Sequence, residues 1–248
     1  SRREVRQALN EIDQELRAGG NGRNNAVKSR VLVELWRNGW ADAGVLDDAQ
    51  SFAVCGHQSD EQDFYTHLIA AYALKYRARS RGWEQLAEAM AHYAQAIAHL
   101  KADDPTNVDA LRTVMIDRAE TLVYLSQADL AVAEMERALK LGGEPQDWHV
   151  WAYGFALHQN GDYRKSVTRL SPLLKGKPAS DLYSNDIRLL LAASLARAGR
   201  TAEAQRTIRD FRSYRDAAGE PVWTIAIELE RGAFYPDSPG ERHWRESL

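Results

Sequence analysis

The residues that could do chemistry are few and scattered. Histidines stand at 57, 67, 92, 99, 149, 158 and 243, and the one cysteine stands at 55. A zinc protease needs two histidines one helical turn apart with a glutamate beside the first, and no such H-E-x-x-H run is present. Cys55-Gly56-His57 offers one thiol and one imidazole, with no second pair along the chain to complete a ligand set, so no metal site is expected. The same two side chains could act as nucleophile and base. But nothing marks the oxyanion donors or the third, orienting group that such a pair needs. The simpler reading of Cys55 is a small thiol buried in a helix. Gly20-x-Gly22 follows no strand, which argues against a dinucleotide-binding turn, and neither a nucleophile elbow nor a phosphate loop is present. No cofactor is implied, and the chain reads as non-catalytic.

The elements that would carry these residues are helical. Helix formers dominate, and no β-branched alternating run stands out, so an all-α chain is expected. With 44% hydrophobic residues in a length of 248, there is enough apolar material for a sizeable core. Thirty-two basic and 35 acidic residues leave a net charge of −3, which gives no reason to propose nucleic acid or an anionic membrane as partner. The longest apolar runs fall far short of a membrane span, and no signal peptide opens the chain, so the expected location is the cytoplasm. With Cys55 alone, no internal disulfide is possible.

One stretch organises the rest: Asp147 to Pro178, DWHVWAYGFALHQNGDYRKSVTRLSPLLKGKP. Gly154 sits where a second helix must come close, and Leu157 is the large apolar residue of the first helix. Gly161-Asp162-Tyr163 form a turn whose glycine takes the positive φ that ends a helix. Ser166, Leu170 and Leu173 line a second helix, and Pro178 cannot continue it. The pattern recurs. Gly199 repeats the turn 38 residues later, with Ala192, Leu195, Ala204, Ile208 and Phe211 in the other roles. Ser126 occupies the turn 35 residues earlier, with Ala119, Leu122, Ala131, Met135 and Ala138. A looser unit has Ala71 and Leu74, then Ala89, Tyr93 and Ala96, separated by a long turn from Arg77 to Trp83.

This period and these positions resemble the tetratricopeptide repeat, a helix–turn–helix unit of about 34 residues. The resemblance implies an all-α, right-handed α-α superhelix with flanking capping helices. About four repeats would occupy residues 61–218. Residues 1–60 would hold N-terminal capping or linker helices: Ser1–Ala18, with Val5, Leu9, Ile12 and Leu16 on one face, then Asn25 to about Arg37, then about Asp42 to Val54. Gly19 to Asn25 reads as a flexible linker. The alternative for this region is a dimerising helix, which admits a homo-oligomer. Residues 219–248 would cap the other end, with a helix over Pro221–Arg231 and a last one opened by Ser238-Pro239.

A narrower resemblance rests on Glu144 to Trp151 (EPQDWHVW), followed by Gly154, Phe155, Ala156, Leu157, Gly161 and Tyr163. These are similar to a stretch in the C-terminal repeat regions of bacterial class III adenylate/guanylate cyclases. Ile187 to Arg200 resembles the next repeat there, and Phe234 to Leu248 the closing segment. The resemblance implies a non-catalytic signalling region attached to a cyclase-type parent that binds partners or holds an assembly. The cyclase domain itself, a mixed sheet with two metal-binding aspartates, has no counterpart here.

The repeat resemblance also implies a surface. The first helices line the concave groove, which would present Trp148, Trp151, Phe155, His158 and Gln159 from the central unit. Glu120 and Tyr124 come from the unit before, and Tyr72 and Tyr76 from the loose one. Such an aromatic, nearly neutral groove suits a protein or peptide partner, an apolar helix or an extended segment. The competing expectation is that these aromatics pack against the terminal helices. Some chaperone-binding relatives clamp a peptide carboxylate with Lys and Asn. Here those positions hold Leu68, Ile116 and Trp151, then Tyr72, Glu120 and Phe155, so acidic chaperone tails are not expected to bind. The functional reading is a protein-interaction scaffold, with a free-standing adaptor or chaperone-like protein as the alternative and an enzyme well behind.

Overall fold

The computed structural model describes residues 2–37, 40–82, 84–100, 104–142, 144–176 and 182–212. Among them there are α-helices and short 3-10 segments and no strand: α1 Arg2–Arg17, α2 Gly22–Arg37, α3 Val45–Ser59, α4 Phe64–Arg81, α5 Gln85–His99, α6 Val108–Tyr124, α7 Ala128–Lys140, α8 Asp147–Gln159, α9 Tyr163–Leu170, α10 Leu182–Arg197 and α11 Thr201–Arg212. The expectations for Trp83, Pro178 and everything after residue 212, including the C-terminal capping helices, fall outside the described residues, as does the side chain of Phe211. No described helix is long and apolar enough to cross a membrane.

The chain divides into two compact units, Ser1–Thr121 and Leu122–Leu248, with the division inside α6. In each, neighbouring helices form hairpins, and the hairpins stack. In the first unit α2 pairs with α3 and α4 with α5, while α4 also packs on both α2 and α3. In the second unit α8 pairs with α9 and α10 with α11, while α10 packs on both α8 and α9. A helix that lies on its own partner and on both helices of the preceding hairpin is the packing rule of a helical repeat, in which each unit buries its apolar face only against its neighbours. The fold is therefore all-α, built of tetratricopeptide-like hairpins.

Most positions named from the period are interior ones, with Ile208 half-buried. Ala71, Ala89, Ala96, Ala119, Ala131, Met135, Ala138, Leu157, Leu170, Ala192, Leu195 and Ala204 are all buried. At Gly154 a Cβ would lie 2.6 Å from Leu170 Cδ2 and 2.7 Å from its Cγ. That is closer than carbon atoms approach, so the small site is a steric requirement of the α8–α9 hairpin. The turns agree in detail. Ser126, Gly161 and Gly199 all have positive φ, 61°, 83° and 79°. Each is followed by a residue whose N–H reaches back five positions: Gln127 to the Leu122 carbonyl at 2.9 Å, Asp162 to Leu157 at 2.8 Å, and Arg200 to Leu195 at 2.9 Å. This is the Schellman closure, which satisfies carbonyls left unpaired at a helix end.

Three boundaries differ from the sequence reading. Gly22, expected in a flexible linker, is buried inside α2, and a Cβ there would meet the Gly56 carbonyl oxygen at 2.5 Å. The glycines at 22 and 56 are contact points between α2 and α3, not breaks. The helix begins at Asn21, whose Oδ1 accepts from the Asn24 N–H while Asn24 Oδ1 accepts from the Asn21 N–H, both at 3.1 Å. The turn expected over Arg77–Trp83 is mostly helix, because α4 runs to Arg81 and stops at Gly82. Ala78 is buried and Arg77 Nε donates to Asp47 at 2.7 Å, so tertiary contacts carry the helix through. Finally α3 runs to Ser59, which brings His57 into it.

Candidate functional site

The aromatic residues expected to line a groove fall into both units, and each unit uses them differently. In the second unit all but Tyr124 sit on α8, whose first turn is locked in place. Gln146 caps the helix in a capping box with His149, whose Nδ1 accepts from the Gln146 N–H at 3.0 Å. The Gln146 Oε1 also accepts from Trp148 Nε1 at 2.9 Å, and the Trp148 ring lies 4.1 Å from that of His149. Trp148 is thus half-exposed and held by its neighbours. One turn on, Trp151 is half-buried and stacks on Phe155, rings 5.7 Å apart and 15° from parallel. The Trp151 indole N–H is buried and has no hydrogen-bond partner among the described residues, nor have the Gln159 amide oxygen and nitrogen two turns further along.

The deeper members of the set are interior. Phe155 and Tyr124 are buried with rings 5.8 Å apart, and His158 is fully buried with its ring edge-on to Tyr163. His158 belongs to a polar chain through the core. Ser166 Oγ donates to the Gly154 carbonyl at 2.8 Å, Ser166 and Ser194 lie 2.9 Å apart, and His158 Nδ1 lies 2.9 Å from Ser194 Oγ. One proton order satisfies all three: His158 Nδ1–H gives to Ser194, Ser194 to Ser166, and Ser166 to the carbonyl. A histidine beside serines suggests a nucleophile pair, but this one joins α8, α9 and α10 in the interior, where no substrate can approach.

In the first unit the expected groove residues are spent on the protein itself. Tyr72 donates to Glu34 Oε1 at 2.7 Å and accepts from Arg37 Nη1 at 2.8 Å, both on α2. Tyr76 is buried, with Tyr72 at 4.7 Å, Trp36 at 6.1 Å and the Arg37 guanidinium 5.2 Å from its ring centre. Glu120 is buried too and accepts from Lys75 Nζ at 2.9 Å, while Asp117 accepts from the same ammonium at 2.7 Å. Burial works against the Lys75 ammonium, but the two carboxylates more than offset it, so its pKa stands well above the ordinary lysine value. For Asp117 burial wins, and its pKa is raised despite the ammonium beside it. Here the aromatics pack against an N-terminal helix, as the competing expectation had it.

Chemistry that no spacing disclosed lies on the other side of α4. His57 of α3, His67 of α4 and His92 of α5 stand together, with one imidazole nitrogen from each within 4.8 Å of the others. The expectation of no metal-ligating group rested on neighbours along the chain, whereas this group is drawn together from three helices. No signal at separations of 10 and 25 residues could have found this set. Cys55 is not among these residues. It is exposed, not buried as expected, because the buried stripe of α3 runs Leu46, Ala49, Ala53 and Gly56 and leaves position 55 outside.

A further hollow of about 450 Å³ in the second unit is lined by Glu136, Lys140, Val150, Tyr153 and Arg169. Tyr153 donates to Glu136 at 2.9 Å, and burial first, then that hydrogen bond, pushes its pKa up to about 12. It therefore remains a neutral phenol at physiological pH.

Among solved structures, the chain is similar to YrrB, described as a tetratricopeptide-repeat protein with an unusual peptide-binding site. The two share 13% identity over 90% of this chain and 91% of that one, with a TM-score of 0.48. No family model and no curated protein matches the chain.

Proposed function

We propose that the chain is a non-catalytic protein-interaction module that holds an apolar helix or extended peptide on the α8 face around Trp148 and Trp151. The observation that carries this reading is the pair of half-exposed tryptophans in the first turns of α8, Trp148 held by Gln146 and His149 and Trp151 stacked on Phe155. Trp148 supplies half-exposed aromatic area of the kind that dominates interface energies. Phe155, His158 and Tyr124 act behind this surface as its packed support.

The finer reading assigns the module to the C-terminal regulatory region of a cyclase-type signalling protein in bacteria, where it would bind partners or hold an assembly. Its support is the likeness of residues 144–163, 187–200 and 234–248 to those regions. The alternative is a free-standing adaptor or chaperone-like protein working through the same face in the cytoplasm. Self-association would use that face or residues 1–60.

The test is a defined peptide array of apolar helical and extended sequences, probed with the wild-type chain and with the Trp148→Ala/Trp151→Ala double variant. Peptides held by the wild type should lose at least about thirtyfold in affinity in the variant, the scale of a lost hot spot. Equal retention by a variant of unchanged helical content would remove α8 from the reading. Peptides ending in the acidic tails of chaperones should not be retained by either.

A further inference from the structure

The histidines of the first unit make a cluster that the interaction reading does not use. His57, His67 and His92 come from three successive helices, and their rings lie 4.5 Å (57–67), 5.0 Å (57–92) and 5.6 Å (67–92) apart. His99, two helical turns beyond His92 on α5, stacks on His67 at 5.2 Å and 18°. Four imidazoles so close are not explained by packing, since apolar rings would fill the same space without polar nitrogens to satisfy.

The hydrogen bonds set up the geometry of a ligand set. His67 Nε2 lies 2.9 Å from the Glu61 carbonyl oxygen, which can only accept, so Nε2 carries the proton and Nδ1 keeps its lone pair. A backbone carbonyl that fixes the tautomer from behind is the usual support of a metal-binding histidine. The His67 lone pair faces His92 Nδ1 at 3.3 Å. Two nitrogens each about 2.05 Å from a tetrahedral zinc stand about 3.3 Å apart, so this pair already has the spacing of ligands on one ion. Without an ion, His92 Nδ1–H donates to His67 and the contact uses one proton. His57 Nδ1 is then left buried with no hydrogen-bond partner among the described residues.

We propose that His57, His67 and His92 bind one divalent transition-metal ion of zinc type, each through one imidazole nitrogen. Three imidazoles suit zinc, copper or nickel and not the hard cations magnesium and calcium, which require oxygen. The ion pins α3, α4 and α5 together, and a water completes the fourth position. His57 and His92 are half-exposed, so an ion can enter from solvent. His99 supports the His67 ring without touching the ion. Burial lowers the His67 pKa against the pull of the Glu61 carbonyl, and burial with the neighbouring rings lowers that of His92 to about 4.

The test uses the full, tag-free chain stripped with chelator and titrated calorimetrically with Zn²⁺ alone, with melting curves alongside. One equivalent should bind and raise the melting temperature, and Mg²⁺ at the same concentration should do neither. His57→Gln breaks no hydrogen bond of the Nδ1 atom, so it is the mildest ligand deletion. It and His92→Gln should each raise the dissociation constant by about a hundredfold or more, the upper range even for losing a supporting partner. His99→Gln should change it only a few-fold. Absence of a one-equivalent isotherm, or unchanged affinity in His57→Gln and His92→Gln, overturns the proposal. If the variants fail to fold, X-ray absorption on the zinc-loaded wild type decides: three imidazole nitrogens at the metal support the site, and fewer overturn it.

Discussion

Lys75 is the residue on which most of the first unit's buried charge converges. Its ammonium is fully enclosed and holds Asp117 at 2.7 Å and Glu120 at 2.9 Å. The Tyr72 and Tyr76 rings stand over it at 5.4 and 5.3 Å. Two carboxylates and one ammonium in the interior are tolerable only as a set, since removing one partner of a buried pair leaves a charge with no water to turn to. Lys75→Met should therefore destabilise the protein by about 3–5 kcal/mol in urea denaturation. Adding Asp117→Asn and Glu120→Gln should recover part of the loss. A Lys75→Met variant as stable as the wild type would show that water reaches the carboxylates after all. None of this was visible from residue types. Glu120 and Tyr72 were expected in a groove because they occupy the right positions of the first helices, and period alone does not say whether another helix already covers a position.

At the scale of elements, the turns are where sequence and structure agree most closely. Gly161 and Gly199 take positive φ without a Cβ to obstruct them, while Ser126 takes the same conformation with one. Ser126 is exposed, so its side chain supplies no packing that would have to be given up. Ser126→Gly should therefore stabilise the chain by up to about 1 kcal/mol, the left-handed strain relieved less the extra entropy of glycine in the unfolded state. Urea midpoints of the two proteins measure it, and a lower midpoint for the glycine variant would mean that the serine hydroxyl earns its place in the turn. Glycine was legible where it repeated at the period and misleading where it did not. Gly22 and Gly56 were read as linker and thiol neighbour, whereas each is a point of contact between α2 and α3. The chain uses the absent side chain for close approach there, not for a turn, and sequence alone does not distinguish the two uses. Arg77 to Arg81 were read as a turn for the opposite reason, since their helix is sustained by contacts such as Arg77 with Asp47.

At the scale of the whole molecule, the two proposed sites use residues of two different units. The proposed peptide face belongs to Leu122–Leu248 and the histidine cluster to Ser1–Thr121. They are independently testable, since they have no residue in common. The cyclase-type reading makes its own prediction here. An antibody to this chain should detect, in the source cells, a native band well above 27.9 kDa. A band at that mass would leave the free-standing adaptor and reduce the cyclase likeness to one of ancestry.

The sequence by itself determined that the chain is all-α and built of repeated hairpins. It also determined most of the small and apolar sites and the turns at Ser126, Gly161 and Gly199. Those follow from local rules, a period near 35 and the conformational limits of glycine and proline, which act along the chain. The tertiary structure alone decided which aromatic residues keep a free surface and which are covered, that Cys55 faces out, and that three histidines from three helices meet. Those depend on how helices cross in space. A side chain's neighbours there come from positions tens of residues away, and no spacing rule records them.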